Sequence, residues 1–428
     1  MFISIQDAIE NGKGNVLLRG WVYRERKSNV KAFIVLRDHS NIIQCVVDKE
    51  KVKEDVWKNA EQVIIESSII IEGELKKDER APTGYEVHVS DLKLIHIADR
   101  FPITKDQSTE FLLDVRHLWI RSRELTNVWK VKAQVLKAVR EFYEKEKYYE
   151  VTPPIITGSS CEGGSTLFEI KYFQDKAFLS QSAQLYLEAM IFSLEKVWAL
   201  TPSFRAEPSR TSRHLTEYWH LEGETAWQGF EELLNHEEAL ISHICQHVAK
   251  HCKQELKILG RDPKDLEKIK PPFPRVTYDE ALEILKKDGM NIEWGKDLRT
   301  LEEEQLMKHF DKPLMVTRYP KEIKAFYMKD DPENPKVVLC CDVLAPEGYG
   351  EIIGSSERET DVNVLIKKLK AQGENVENYN WYLDLRRFGS VQHSGYGLGT
   401  ERIVRWLCKL ETIRDAIPFP RTIKRMTP

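Results

Sequence analysis

The chain has 428 residues, of which 41% are apolar and 31% charged, and a formal net charge of −4. This composition suits two or three globular domains and excludes fibrous, disordered and uniformly basic nucleic-acid-coating proteins, although a clustered basic face can still meet RNA. No apolar run reaches the length of a membrane span: the richest, Val63 to Ile71, is interrupted by Glu66, Ser67 and Ser68. The N-terminus shows no basic region followed by an apolar core, so secretion is not expected. Seven cysteines without paired spacing suit a reducing cytoplasm.

In chain order, Val16 to Val22, Ile42 to Val47, Ser67 to Glu72 and Tyr85 to Leu94 are rich in β-formers and separated by turn residues. They predict a small all-β barrel over residues 1–98. Arg19, Arg24, Arg26, Lys27, Lys31 and Arg37 interleave with Trp21, Tyr23 and Phe33. Such a face can stack bases and hold phosphates; a solvated charged strand over core aromatics fits the same residues. Residues 99–125 read as a connector, with Pro102 and a polar run from Thr104 to Glu110. A helix follows, capped by Thr126 or Asn127, with Val128, Val131, Val135, Val139 and Phe142 at helical spacing. Pro153 and Pro154 end the run. Beyond them strands and helices mix without βαβ alternation, which predicts an α+β domain over 126–428.

Three clusters can carry chemistry. Phe204-Arg205-Ala206-Glu207, with Arg210, Arg213 and His214, gathers cations that can grip phosphate, or a salt-bridged surface loop. Gly395-Tyr396-Gly397-Leu398-Gly399-Thr400-Glu401-Arg402 is a glycine-rich turn entering a helix; without a βαβ unit it is no dinucleotide fingerprint. Asp342 and Glu351, followed by Arg358, can hold Mg²⁺ against phosphate, although each acid alone reads as a surface residue. A fourth pattern, His243, His247 and His251 at i, i+4 and i+8, has helical spacing suited to zinc. Leu234, Ile241, Ile244 and Val248 mark the buried stripe of that helix, so a solvated histidine face is expected instead.

Taken together and in order, Tyr148-Tyr149-Glu150-Val151-Thr152-Pro153-Pro154, Phe204-Arg205-Ala206-Glu207 and Gly397-Leu398-Gly399-Thr400-Glu401-Arg402 resemble the three signature motifs of class II aminoacyl-tRNA synthetases. The barrel, with Gly20-Trp21-Val22 and Leu36-Arg37-Asp38, and the ending Ile413-Arg414-Asp415-Ala416-Ile417-Pro418-Phe419-Pro420-Arg421 resemble the class IIb subgroup, which serves aspartate, asparagine and lysine. The likeness covers essentially the whole chain. It implies an antiparallel-sheet catalytic domain preceded by an OB-fold anticodon-binding barrel, a cytoplasmic homodimer with the Pro153 segment near its interface, ATP as substrate, Mg²⁺, and a tRNA partner.

Within class IIb, Glu162-Gly163-Gly164-Ser165-Thr166-Leu167-Phe168 and Gln181-Ser182-Ala183-Gln184-Leu185-Tyr186-Leu187-Glu188 resemble the aspartyl and asparaginyl branches. Aspartyl enzymes carry a lysine where Leu187 stands. Glu188 can accept from an amide nitrogen and repel a carboxylate. Gly350 to Arg358 and Lys321 to Met328 are similar to the asparaginyl form of archaea and eukaryotes. The implied activity is ATP-dependent formation of asparaginyl-adenylate from L-asparagine, then transfer to the 3′ end of tRNA(Asn). The alternatives are a relaxed aspartyl enzyme, a tRNA-independent asparagine synthetase-like paralogue, which would lack the barrel, and a non-enzymatic tRNA-binding scaffold.

By the same resemblance, Arg205 and Arg402 are the catalytic residues. Arg205 holds the α-phosphate and the amino-acid carboxylate, Glu207 reads the adenine amino group, Arg213 and His214 follow the β- and γ-phosphates, and Arg402 lies against adenine and the γ-phosphate. Leu215, Gly399 and Glu401 complete the nucleotide site. Glu351, with Asp342, holds Mg²⁺. Glu162 and Gln184 orient the backbone end of asparagine, while Glu188 and Arg358 read its side chain. Arg24, Arg26, Phe33 and Gln44 meet the anticodon. Two departures carry expectations. Ser355 stands where a glycine is usual and is expected to tighten the amino-acid pocket. The Asp342–Glu351 spacing is one residue longer than usual, which weakens Asp342 as a metal ligand.

Overall fold

In the computed structural model, which describes residues 1–158, 161, 166–207 and 213–428, the N-terminal strands bury every second side chain. Strands β1 (Gly14–Lys27), β2 (Lys31–Arg37), β3 (Ile42–Asp48), β4 (Ser68–Lys77) and β5 (Tyr85–His96) close into a barrel in the order β1-β2-β3-β5-β4. Leu18, Ile34, Leu36, Cys45, Ile71 and Val87 fill its interior. Two helices join the strands beyond the all-β expectation, α1 (Ile5–Asn11) and α2 (Glu54–Gln62). Helix α2 arises because Val56, Trp57 and Ala60 recur at helical rather than strand spacing and pack on the barrel core.

Contacts divide the chain into Met1–Leu112 and Leu113–Pro428, so the expected connector is shared between the two units. Arg116 shows why: it is fully buried, and its guanidinium bonds Asp415 and the carbonyls of Arg414, Ile417 and Pro418. Helix α3 (Arg123–Lys145) starts earlier than Thr126, because Ser122 caps it by accepting from the Leu125 amide.

The second unit holds β6 (Tyr149–Glu150), β7 (Ile156–Thr157), β8 (Phe168–Tyr172), β9 (Asp175–Leu179), β10 (Lys196–Phe204), β11 (Glu217–Ala226), β12 (Arg275–Thr277), β13 (Leu314–Thr317), β14 (Cys340–Ala345), β15 (Gly350–Glu357) and β16 (His393–Gly399). Eight of them form one sheet in the order β12-β13-β14-β15-β16-β11-β10-β6, and β7-β9-β8 form a small second sheet. The large sheet is antiparallel except for its end pairs, β12–β13 and β10–β6. The helices that matter to the site are α4 (Gln184–Leu194), α5 (Phe230–His251), α6 (Thr300–Leu306), α7 (Asn380–Arg387) and α8 (Thr400–Leu407).

Strand alternation gives this sheet two unlike faces. On the back, Leu221, Ile353, Tyr396, Leu398 and Val343 share one core with α3, α5 and α8. On the front, Asp342, Gly354, Gly397 and Glu222 lie in one row, and Ser356, Gly395 and Glu224 in the next. The glycines of β16 are room for the long polar chains of β11: a Cβ at Gly395 would overlap the Glu224 carboxylate, and one at Gly397 the His220 ring.

Two expectations change here. Ser355 shares the back-face row with Cys341 and Tyr396 and donates to the Cys341 carbonyl, so it does not floor a pocket on the front. The histidines of α5 are only in part a solvated face: His251 is exposed and His243 half-buried, but His247 is buried. Leu234, Ile241, Ile244 and Val248 do pack in the core, but α3 lies alongside and covers the next stripe, leaving His247 8% exposed.

Glu237 of α5 sits beside Ser355, fully buried, and burial pushes its carboxyl up to about 8. The native state therefore keeps a proton that the unfolded chain loses above its ordinary value of 4.5. Stability is expected to fall as pH rises from there through the native value and to level off above it. Glu237→Gln should remove this slope and stabilise the protein at pH ~9 by roughly 3–5 kcal/mol, at ~1.4 kcal/mol per unit of pKa. Melting temperatures of both proteins from pH 5 to 9 check it; parallel curves would refute it.

Candidate active site

The front face opens into a cleft whose lining includes Arg205, Glu207, Arg213, His214, Leu215, Glu351, Gly399, Glu401 and Arg402. Residues separated by nearly 200 positions, Arg205 and Arg402, thus meet in one cleft. Tyr218 and His220 line it as well, although nothing in the sequence reading marked them, and so do Ile352, Gly397 and Ile413, which lay in marked stretches without a role of their own.

Arg205 follows β10 directly. Its amide donates to the Thr216 carbonyl at 3.0 Å, and its guanidinium lies 5.8 Å from the Tyr218 ring centre. Arg213 reaches across the cleft to α6, bonding Glu303 at 2.9 Å, Glu304 at 2.8 Å and the Gly348 carbonyl at 2.7 Å. His214 lies 3.7 Å from Glu207. Burial lowers the His214 pKa, Arg402 adds to this, and Glu207 opposes it. Glu401 differs from the expected role. Both of its oxygens are engaged, one by Lys132 at 2.6 Å and one by the Trp219 amide at 2.9 Å, so it ties α8 to α3 and β11 instead of presenting a group to a ligand.

Arg402 bonds both the carbonyl and the carboxylate of Glu351, each at 3.0 Å. Burial works to raise the Glu351 carboxyl, but Arg402 and Lys324 outweigh it and hold it at about 2. Asp342 is raised to about 6 by burial, against Lys324, whose ammonium lies 2.7 Å away; Glu351 adds to the rise. The longer spacing between these acids is absorbed by a bulge: the register passes from Val343–Ile353 to Leu344–Glu351, skipping Ile352. Strict alternation would place Glu351 on the face of Ile353, and the bulge re-aims it. The carboxylate oxygens not bonded to Lys324 or Arg402 converge: a Cβ at Gly354 would lie 3.3 Å from Glu351 Oε1 and 3.8 Å from Asp342 Oδ1. Two hard oxygens facing one gap fit a divalent cation.

Further along β11 lies a buried ionic cluster. Glu222 accepts from the Ala183 amide at 2.8 Å and from the Ser182 hydroxyl, fixing the start of α4. On α4, Gln184 and Glu188 share a face one turn apart, and Gln184 Nε2 donates to Glu188 Oε1 at 3.0 Å. Glu188 Oε2 is met by Tyr382 at 2.7 Å, Arg386 at 2.5 Å and His393 at 3.1 Å. Burial opposes its ionisation, but Arg386 and His393 hold its carboxyl far below the ordinary range. An oxygen pair so fully engaged anchors α4 to α7 and is not the reader of a substrate amide, which corrects the role expected for Glu188.

A second buried acid of this cluster, Glu224 on β11, was missed by the sequence reading. Arg358 grips Glu224 through Nε at 3.0 Å and Nη2 at 2.9 Å, and its Nη1 donates to Ser356 at 2.8 Å. Glu224 is 1% exposed; burial lifts its carboxyl above the ordinary range, against the pull of Arg358. Its signal was present in His220-Leu221-Glu222-Gly223-Glu224, where acids recur every second residue on a buried strand. Glu162 lies outside the described residues.

A cleft with paired arginines and acids on the front of an antiparallel sheet, in a chain that also folds a closed N-terminal barrel, defines an ATP-using synthetase of class II. Residues 108–423 match the family described as tRNA synthetases class II (D, K and N), and residues 16–95 match the OB-fold nucleic acid binding domain; the chain belongs to this class II family. It is 54% identical to the asparagine–tRNA ligase of Thermococcus kodakarensis and 52% identical to that of Pyrococcus abyssi, each over 96% of both chains. Its fold matches the crystal structure of asparaginyl-tRNA synthetase from Pyrococcus horikoshii complexed with asparaginyl-adenylate, with a TM-score of 0.96, 50% identity and 100% of each chain covered. The Entamoeba histolytica asparaginyl-tRNA synthetase matches at TM-score 0.90 and 32% identity, again over 100% of each chain.

Proposed function

We propose that this enzyme activates L-asparagine with ATP and transfers it to the 3′ end of tRNA(Asn). The observation that carries the choice of amino acid is the buried Glu224–Arg358 pair. Asparagine offers an amide nitrogen that donates and a carbonyl that accepts, matching a carboxylate beside a guanidinium. An aspartate carboxylate would meet Glu224 while the nearest cation, Arg358, is already engaged with it. ATP–pyrophosphate exchange run in parallel with asparagine, aspartate and lysine tests the reading: asparagine alone should support exchange, and preference for another amino acid overturns it.

In the first step the asparagine carboxylate attacks the α-phosphorus in line and pyrophosphate leaves. Arg205 steadies the charge on the α-phosphate, and Arg213, His214 and Arg402 hold the phosphates behind it. Arg213 exchanges its bonds to Glu303 and Glu304 for phosphate oxygens. Glu207 reads adenine, against the surfaces of Leu215 and Gly399. Gln184 and Glu162 orient the backbone end of asparagine. Glu351 and Asp342 would hold Mg²⁺, which would supply positive charge to the phosphates. In the second step the 3′-terminal adenosine hydroxyl takes the acyl group and AMP leaves.

The barrel supports tRNA binding. Arg24, Val35 and Gln44 form one row on its outer face, and Arg26, Phe33 and Val46 the next. The Arg26 guanidinium lies 5.1 Å from the Phe33 ring centre, and Gln44 is held by Glu86 at 2.8 Å. Phe33 offers a base a stacking surface between the two arginines. Phe33→Ala is expected to weaken tRNA binding by about 1–3 kcal/mol and to leave asparagine activation unchanged; unaltered aminoacylation kinetics would remove the barrel from recognition. A homodimer is supported by the edge strand β6 and the segment after it, where Tyr149, Ile155 and Ile156 are exposed around Pro153. A cytoplasmic place is supported by seven buried thiols. No described helix is long and apolar enough to cross a membrane.

A further inference from the structure

On the back of the catalytic sheet, remote from the cleft, α3 and α5 bring three ligating side chains together. Glu141 projects from α3, and His243 and His247 from successive turns of α5. One ligand atom from each lies within 4.8 Å of the other two. His247 Nδ1 is 3.1 Å from Glu141 Oε2, and His247 Nε2 is 2.9 Å from Gln134 Oε1. His243 Nε2 is buried and meets no hydrogen-bond partner, while its ring lies 5.7 Å from that of Phe142.

We propose that Glu141, His243 and His247 form a binding site for a borderline divalent cation, Zn²⁺ foremost, that staples α3 to α5. The His247 ring is held between Glu141 Oε2 and Gln134 Oε1. A neutral imidazole has one N–H, yet here an oxygen faces each ring nitrogen. In the tautomer that donates Nε2–H to Gln134 Oε1, the Nδ1 lone pair faces the Glu141 carboxylate. A cation between Nδ1 and Glu141 turns both lone pairs into ligands. The bond from Nε2–H to Gln134 is then the outer contact that fixes the tautomer and orientation of a metal-bound histidine.

His243 completes the set. One turn before His247 on the same helix face, it presents a buried nitrogen without a hydrogen-bond partner. Ligands around a tetrahedral Zn²⁺ lie about 3.3 Å apart, from bonds of ~2.0–2.1 Å. The His247–Glu141 separation of 3.1 Å is close to this, and a ligand atom of His243 lies within 4.8 Å of both. Two imidazoles and one carboxylate favour Zn²⁺, Co²⁺, Ni²⁺ or Cu²⁺ over Mg²⁺ and Ca²⁺. A fourth position remains for water.

The test uses the whole protein, stripped of metal by a chelator and then held in excess Mg²⁺ to occupy the front-face carboxylates. Titration with Zn²⁺ should give one site per chain in the micromolar range or tighter and raise the melting temperature. Co²⁺ in its place should give the visible absorption of a low-symmetry N/O site. His243→Gln and His247→Gln should each weaken binding at least about 100-fold, and Glu141→Gln about tenfold, relative to wild type. All three should keep Mg²⁺-dependent exchange activity, which also reports that they fold; should His247→Gln not fold, His243→Gln decides. Wild-type protein that binds no Zn²⁺ in this range, or variants that bind it as wild type does through thiols or the front-face acids, overturns the proposal.

Discussion

Replacing Arg205 by alanine is expected to lower asparagine-dependent ATP–pyrophosphate exchange by at least about 10²-fold, a loss of ~3 kcal/mol or more of transition-state stabilisation. The backbone there is fixed by the bond from the Arg205 amide to the Thr216 carbonyl, which alanine retains. The side chain lies in the cleft against Tyr218, so its removal leaves no cavity in the core. The melting temperature should therefore stay close to that of wild type while the reaction suffers. Arg205→Lys should recover only part of the loss, because a lysine is a point charge and cannot make two parallel bonds to phosphate oxygens. Exchange within a few-fold of wild type in the alanine variant would remove Arg205 from the reaction.

How far the sequence carried this reading differs between its two levels. The barrel strands and the long helix α3 were legible because period-two and period-3.6 burial are local properties of the chain. The helix α2 was not, because it is nine residues long and lies between strands that share one core. The nucleotide site was legible because its arginines and acids sit in short stretches of uncommon composition, and those stretches converge on one cleft. The side-chain specificity site was not, because its logic lies in partners distant in sequence. Glu188 looked available from α4, yet Tyr382 and Arg386 of α7 and His393 of β16 occupy it. Glu224 looked like one acid among many, yet β16 supplies a glycine opposite it and β15 ends beside Arg358. Ser355 was assigned to the wrong face because an extra residue at Ile352 shifts the alternation that sequence counting assumes. Among the histidines of α5, His247 was misread for a related reason: one stripe faces the sheet, and a second faces α3, which the sequence does not reveal, while His251 is exposed as expected.

Glu224→Gln is expected to lower the preference for asparagine over aspartate by about 10²-fold, because it changes the charge at the specificity site while keeping the shape. In the wild-type protein the guanidinium of Arg358 is neutralised by two bonds to Glu224, at 3.0 and 2.9 Å. A second carboxylate arriving there meets repulsion without a compensating cation, in a site where Glu224 and Arg358 are 1% and 3% exposed. Asparagine meets the same pair as a donor to Glu224 and an acceptor from Arg358, and charge-assisted bonds of this kind contribute ~1.5–3 kcal/mol each. Glutamine at 224 removes the anion. Asparagine then loses its charged acceptor, and Arg358 becomes a buried cation able to grip an aspartate carboxylate through two bonds. Both changes move the ratio the same way, which makes the double effect larger than either. Glu188→Gln is the control. It removes the anion that ties Arg386, Tyr382 and His393 together, so it should lower the melting temperature and reduce activation of both amino acids together, leaving their ratio nearly unchanged. Steady-state exchange measured with asparagine and aspartate in the two variants separates the roles. A wild-type ratio in Glu224→Gln with a collapsed ratio in Glu188→Gln would return the reading of the amide to Glu188.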